Sequence, residues 1–341
     1  MDRNFKIIAV DQDAAGFAAV LENPRFAAIE AHPQPGAFGR AYYPAVHGEN
    51  YRDYSFAVEW QNEPRVVVLC SVIDGILGMH GIPARIFVED NLDAAVLRAA
   101  IKQAFAHIDQ IAVAANAQEV VVSEPAGSLL SHIGEACLSR GAKADVTLIG
   151  MVDIDAGPAI WKKSLRKSFQ QLINWGRKNF SVSYVNADNF SQEAFDRFRH
   201  FHAHVAGRVT RPIESWNVMA DSVKNGRGEI IMAEISGKLT AAALFIDGTV
   251  TSIYMTAIYD RDSEDPLAHY IIWHGMERAH LRGMKDMELG PIHQLGMTDA
   301  KKFNIGFFKR GFVTRMDANF DWHWRVGSAA SLETKASNQG K

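Results

Sequence analysis

Three strand patterns in quick succession, at 229–235, 239–246 and 250–257, constrain this 341-residue chain more than any other feature. Ser236-Gly237 and Asp247-Gly248 stand between them. Asp-Gly flanked by strand residues signals a tight hairpin, because both turn positions take positive φ. A helix pattern follows. Asp265 is a good cap and Pro266 a good first helical residue. Leu267, Ala268, Ile271, Ile272, Gly275, Met276 and Ala279 then form one apolar stripe at helical spacing. His269, Trp273, Glu277 and His280 fall on a different face, and Gly283 is a natural stop. A strand at 285–289, Gly290-Pro291 and a second helix at 299–308 lead to Phe308-Lys309-Arg310-Gly311-Phe312.

Upstream, a strand at 5–10 and a helix at 11–22 precede a Gly-, Pro- and Tyr-rich stretch at 32–50, which reads as a long loop or a set of turns. Strands at 54–60 and 65–73 flank a Gln61-Asn62-Glu63-Pro64 turn. A long Ala-rich helix (91–116), a strand (119–123), a helix (128–140) and a strand (145–152) complete a mixed α/β first half, 1–150. Trp161, Leu165, Phe169, Leu172, Ile173 and Gly176 give a helical stripe over 161–178 that carries six basic residues and no acid. A strand at 181–185 and helices at 191–206 and 214–224 lead into the three-strand run. Phe320, Trp322 and Trp324 alternate on a last strand. The second domain spans 151–326, and 327–341 is a flexible tail by its Ser/Ala/Gly/Lys content.

The length predicts about two domains, and 48% hydrophobic with 22% charged residues is ordinary for a soluble globular chain. A net charge of -3 supplies no global field for nucleic acid, so DNA is not an expected partner. Cys70 and Cys137 have no metal-site spacing and read as core residues of a reducing compartment. No run reaches the ~18 apolar residues of a membrane span, and the first residues lack a secretory pattern; the expected location is cytoplasmic.

The order of parts in the second half resembles the C-terminal half of the FemAB-like proteins, double-domain relatives of the GNAT acyltransferases. That pattern is an aromatic in the first turns of a helix, Ala-x-x-x-Gly at its exit, a strand ending in acid-x-Gly, and a terminal Phe-Lys-x-x-Phe/Trp. Here these are Trp273, Ala279 to Gly283, Glu288-Leu289-Gly290 and Phe308 to Phe312. The resemblance covers residues 160 to 315. It implies an α/β (α+β) fold of two tandem GNAT-like domains with mixed sheets, and acyl transfer to an amine. Lys309 matches the lysine that stabilises the oxyanion of the tetrahedral intermediate. Arg211-Pro212, with Trp216 one position later than the simplest spacing, resembles a segment whose arginine contacts acceptor phosphate; Arg208 lies just before it. Tyr254 falls where the family has a substrate-facing tyrosine.

Two further candidates come from position. His269, near a helix start, is a substrate-binding or proton-shuttling group by its near-neutral pKa. Glu288, at a strand end, is a candidate general base. His200 and His204 share a helix face, but no carboxylate or cysteine stands at matching spacing, so no metal is expected. GNAT enzymes that bind acetyl-CoA carry Gln/Arg-x-x-Gly-x-Gly/Ala between strand and helix to hold a pyrophosphate. The equivalent stretch here, 259–266, has no glycine and four acids, Asp260, Asp262, Glu264 and Asp265.

The reading is an acyltransferase with no tightly bound cofactor. Its expected donor is a thioester, acyl-CoA or an acyl carrier protein, with aminoacyl-tRNA the alternative. The acceptor class, a nucleotide-linked precursor of the cell envelope such as a peptidoglycan or surface-polysaccharide precursor, is what the resemblance implies. A non-catalytic binding protein of the same fold is the rival class.

Overall fold

A computed structural model describes residues 4–80, 82–294 and 298–327; residues 328–341 of the expected tail lie outside the described residues. The chain divides into two compact mixed α/β units that interleave in sequence. One holds the described parts of Met1–Glu30, Tyr43–Thr147 and Ala318–Lys341, the other Ala31–Tyr42 and the described parts of Leu148–Asp317. No helix among the described residues is long and apolar enough to cross a membrane.

In the first unit the strands run in the order Phe5–Ala9, Phe56–Trp60, Glu63–Leu69, Ala84–Val88, Glu119–Pro125 and the end of Arg315–Arg325. Gln61 and Asn62 both take positive φ (56° and 59°) in the hairpin turn between the second and third. The helix Ala94–Ala114 starts at Asp93, whose side chain accepts from the backbone N–H groups of Ala95 and Val96. It buries Ala100, Ile101, Ala104, Phe105 and Ile108 against Phe56, Val66, Val68, Val120 and Val122. Trp322 and Trp324 close the same core, and the Trp322 indole N–H donates to Glu124 (2.8 Å). Cys70 and Cys137 are buried and unbridged.

The second unit is built on the strand order Asp286–Gln294, Thr251–Tyr259, Lys238–Asp247, Gly228–Ile235 and Ser181–Val185. The last four pair antiparallel, whereas Thr251–Tyr259 pairs parallel with Asp286–Gln294. The helix Leu267–Leu281 lies on one face of the sheet and buries Leu267, Ile271, Ile272, Gly275, Met276 and Ala279. Gln192–Ala206 and Ile213–Lys224 contribute Phe195, Phe198, Trp216, Met219 and Val223 to a separate core against the alternate residues Ile230, Met232, Ala242 and Leu244. Gly275 is where helix and sheet come closest: a Cβ there would sit 2.1 Å from Cζ of Phe245. Gly275→Ala is therefore expected to destabilise by about 1–3 kcal/mol through overpacking. A urea titration checks this, and an unchanged midpoint would show that Phe245 moves aside freely.

Five sequence expectations need correction. Asp265 does not cap Leu267–Leu281: the N-cap is Pro266, with no side-chain cap bond, and the Asp265 carboxylate accepts from the Ser263 hydroxyl (3.0 Å) instead. Residues 32–50 are not a loop: Ala37–His47 is helical despite Pro44, and a 3-10 turn, Gly48–Asn50, follows. Propensity is a weak prior that tertiary packing overrides, and Gly39 is buried in this helix. The stripe over 161–178 is two helices, Pro158–Ser164 and Phe169–Asn179. The break follows from a long-range bond, because the Arg166 N–H donates to the Gly311 carbonyl (2.9 Å) instead of closing a helical turn. The hairpin with two positive-φ residues is Ser236-Gly237 (52° and 80°), whereas Asp247 and Gly248 begin a longer connection. Asp247 instead accepts from the Arg282 guanidinium (2.6 and 3.0 Å). Trp273, placed by spacing on the other face of its helix, is buried edge-on to Trp161 at 5.9 Å, and its N–H donates to Glu277 (2.6 Å).

Candidate active site

The parallel pair sets the geometry. Thr251, Ser252 and Ile253 stand opposite Asp286, Met287 and Glu288, and among the described residues the pairing ends there. The strands then part, with Gly290 at φ 80° in one of them. Parted parallel strands of this kind can receive an amide-bearing ligand through backbone N–H and C=O groups. Next to the fork, Thr251–Tyr259, the start of Leu267–Leu281 and the helix Ala300–Lys309 enclose a cleft of about 840 Å³. Met255, Ala257, Ala268, Ile305 and Phe308 make its lining largely apolar, while Lys301, Asn304 and Lys309 add polar ends. Ala300–Lys309 starts at Asp299, whose carboxylate accepts from the Lys301 and Lys302 N–H groups (2.9 and 3.2 Å).

Lys309 ends that helix and turns into the fork. Its ammonium lies 5.9 Å from the centroid of the Tyr254 ring and 3.5 Å from where a Cβ of Gly290 would be. Burial lowers its pKa, and the Glu288 carboxylate opposes that shift without cancelling it. This is a half-buried cation, not a solvated helix-end charge. Tyr254 also lines the cleft, and its hydroxyl shares a 2.6 Å hydrogen bond with that of Tyr259. Burial raises both phenols, so they remain neutral.

Glu288 is the last residue of the parallel pairing. One of its carboxylate oxygens is 3.6 Å from Nε2 of His32, a residue the sequence did not single out. The Gln34 N–H donates to Nδ1 of His32 (3.2 Å), so the proton of the neutral ring sits on Nε2, facing Glu288.

His269 is not among the residues lining the cleft. Its ring is edge-on to Phe169 (4.5 Å) and Phe308 (5.1 Å), and burial lowers its pKa. Its neighbour Ala268 takes the lining position.

Arg211 and Trp216 form a second cluster. The guanidinium carbon is 5.6 Å from the Trp216 ring centroid, and Nη1 donates to Nε2 of His202 (3.0 Å). Burial first and Arg211 second lower the His202 pKa to about 4, which keeps the ring a neutral acceptor at neutral pH. Among the described residues no carboxylate pairs with Arg211, and burial lowers its pKa. A partly buried guanidinium with a neutral acceptor and an aromatic neighbour retains the capacity to bind an oxyanion. Arg208 is exposed, away from this packing. His202 belongs to the Arg-His-Phe-His-Ala-His run, where only the outer histidines share a face; its burial on the i, i+3/i+4 face with Phe195 and Phe198 was the available signal.

The stretch 259–266 joins strand to helix without the pyrophosphate-binding glycines. Asp260 pairs with Lys238 (2.7 Å), and the Ser263 hydroxyl donates to Asp265 (3.0 Å). The turn is closed on itself and presents negative charge at the helix start.

No family model matches the sequence, and no curated protein matches it. Solved structures do. FemX superposes at a TM-score of 0.63 with 13% identity, over 93% of this chain and 96% of that one. L-PGS from Bacillus licheniformis gives 0.54 and 11%, covering 91% and 96%. A tandem GNAT protein from the clavulanic acid biosynthesis pathway gives 0.53 and 11%, covering 95% and 99%. The chain has the FemAB-like fold of two tandem GNAT-like units.

Proposed function

We propose that this protein transfers an acyl group from a thioester donor to an amino group of a phosphate-bearing precursor of the cell envelope or of a surface polysaccharide. The observation that carries the reading is the Lys309 ammonium at the fork between the parted strands, beside Glu288 and at the edge of an apolar cleft. In this reading the cleft holds the donor arm, with its thioester carbonyl toward Lys309. The amine attacks the carbonyl carbon, Glu288 takes the proton the amine releases, and Lys309 meets the oxyanion that forms. The C–S bond breaks as the carbonyl returns, and the thiolate leaves. Arg211 anchors the acceptor's phosphate. The fold shared with FemX and the tandem GNAT protein supports transferase chemistry at the level of class. The apolar lining and the acidic turn at 260–265 favour a thioester on an apolar arm over a donor held mainly through phosphates.

A thermal-shift panel of acetyl-CoA, longer acyl-CoAs, aminoacyl-tRNA and UDP-linked sugars tests the reading. A ligand at ~100 times its Kd that binds only the folded state stabilises by about 2.7 kcal/mol. Arg211→Leu is expected to abolish the shift produced by UDP-linked sugars and to leave any acyl-CoA shift in place. If the UDP-sugar shift persists in Arg211→Leu, the acceptor site lies elsewhere. A shift with aminoacyl-tRNA alone would replace the thioester by that donor.

A further inference from the structure

The helix Ala300–Lys309 has a second side that the cleft does not use. Phe303 and Phe307, one turn apart, are 51% and 47% exposed. Two guanidiniums lie against the Phe307 ring, Arg166 at 4.2 Å and Arg310 at 5.1 Å from its centroid. Arg166 is fixed there by donating to the Phe307 carbonyl (2.8 Å), and the positive charge of Arg310 acts on it unfavourably. Exposed Lys162, Lys163 and Lys167 flank Arg166 in sequence. Among the described residues none of these five cations is in an ion pair, although Arg177, Arg278, Arg282 and Arg315 of the same unit all are. Two like charges held against one exposed ring without counter-ions, with three more exposed cations next to one of them in sequence, favour an anionic partner.

Resting on the transferase reading above, we infer that this face docks an acidic carrier protein, which presents the acyl group as a thioester on a flexible arm. Two exposed phenylalanines with guanidiniums against one of them match the anatomy of a protein interface, with its apolar centre and polar rim. Phe and Arg are enriched at such centres. A single-strand RNA platform would instead offer open aromatic faces for stacked bases, and two guanidiniums already lie over the Phe307 ring. The face and the cleft share one helix, which with side chains is only about 10–12 Å across. A carrier seated on Phe303 and Phe307 therefore has its arm within one helix width of Lys309. The same arrangement explains how a cleft without a pyrophosphate cradle obtains a thioester: the donor is held through its protein part.

The test is biolayer interferometry of the full-length chain against a purified bacterial holo acyl carrier protein. Saturable binding is expected, weakening at least about tenfold between ~0.05 and ~0.3 M salt as the charges are screened. Arg166→Glu with Arg310→Glu should weaken it by a similar factor or more. Lys162→Glu with Lys163→Glu, which leaves the Phe307 contacts alone, should weaken it in the same direction if the first variant fails to fold. Lys224→Glu, on another helix, should have no effect, and uncharged tRNA should not compete. No binding, binding indifferent to charge reversal, or displacement by tRNA would overturn the inference. Lys309→Ala should bind the carrier normally, so loss of chemistry and loss of docking are read separately.

Discussion

Lys309→Ala is expected to lower the rate of acyl transfer by about 10²–10³-fold with little change in donor binding, the range found when one oxyanion donor is removed. The ammonium stands at the fork between Tyr254 and Gly290, where negative charge would develop on a carbonyl drawn into the cleft. Its effect there exceeds that of a surface lysine because the site is partly withdrawn from water. Single-turnover measurements separate the chemical step from binding. The pH dependence follows from the direction of the shift. Burial lowers the Lys309 pKa, so the cation is lost as pH rises through a value below the ordinary lysine range, and the rate should fall there. Lys309→Arg, which keeps its charge, should retain part of the activity and move that alkaline fall upward. Stability runs the other way. The unfolded chain holds this proton more tightly than the folded one, so the buried charge subtracts stability below the folded pKa and ceases to do so above the unfolded one. Lys309→Ala should therefore unfold no earlier than the parent at neutral pH. A rate unchanged in Lys309→Ala would remove the catalytic reading and leave a binding protein of the same fold.

The largest effect on stability is expected at Glu229. This carboxylate is fully buried on Gly228–Ile235. It accepts from Arg278 Nε and Arg282 Nη1, each at 2.9 Å, and from the Asn186 amide at 3.3 Å. Arg282 is shared with Asp247, so two acids and two arginines tie two successive strands, Gly228–Ile235 and Lys238–Asp247, to the end of Leu267–Leu281. A buried ion pair adds little over an apolar replacement of the whole set, but removing one partner strands the other. Glu229→Ala should lower stability by about 3–5 kcal/mol, with Arg278 left without its carboxylate and Arg282 keeping only Asp247. Chemical denaturation gives the number. A loss below ~1 kcal/mol would mean that water satisfies the arginines, as it does at exposed pairs. The effect should reach the cleft as well, because Ala268 near the other end of the same helix forms part of its lining.

Local features of this fold were legible because their causes act within a few residues. The apolar stripe of Leu267–Leu281 is set by helical periodicity. Asp299 caps its helix with its own side chain, and Gly283 takes the positive φ (79°) that ends the preceding one. Ser236-Gly237 turns a hairpin for the same reason. Where a distant group intervened, local reading failed. Gly311 captured the N–H of Arg166 and split a helix; Arg282 claimed Asp247; packing against Trp161 buried Trp273. The candidate site divides along the same line. Lys309, Glu288, Tyr254 and Arg211 were recognisable from motif order, but His32 and His202 were not, since nothing near them in sequence announces Glu288 or Arg211.

By itself, then, the sequence determined most element types, the glycine stops and the Ser236-Gly237 turn, and the succession of strands and helices that resembles a tandem GNAT-like chain. The tertiary structure decided that Ala31–Tyr42 joins the second unit, that the parallel strands part after Glu288, and that the opening receives Lys309. The physical reason is range. Periodicity, capping and turn preferences are fixed by neighbours one or two turns away. A charge withdrawn from water between a carboxylate and an aromatic ring exists only after segments far apart in the chain have packed and met the entropy of bringing them together.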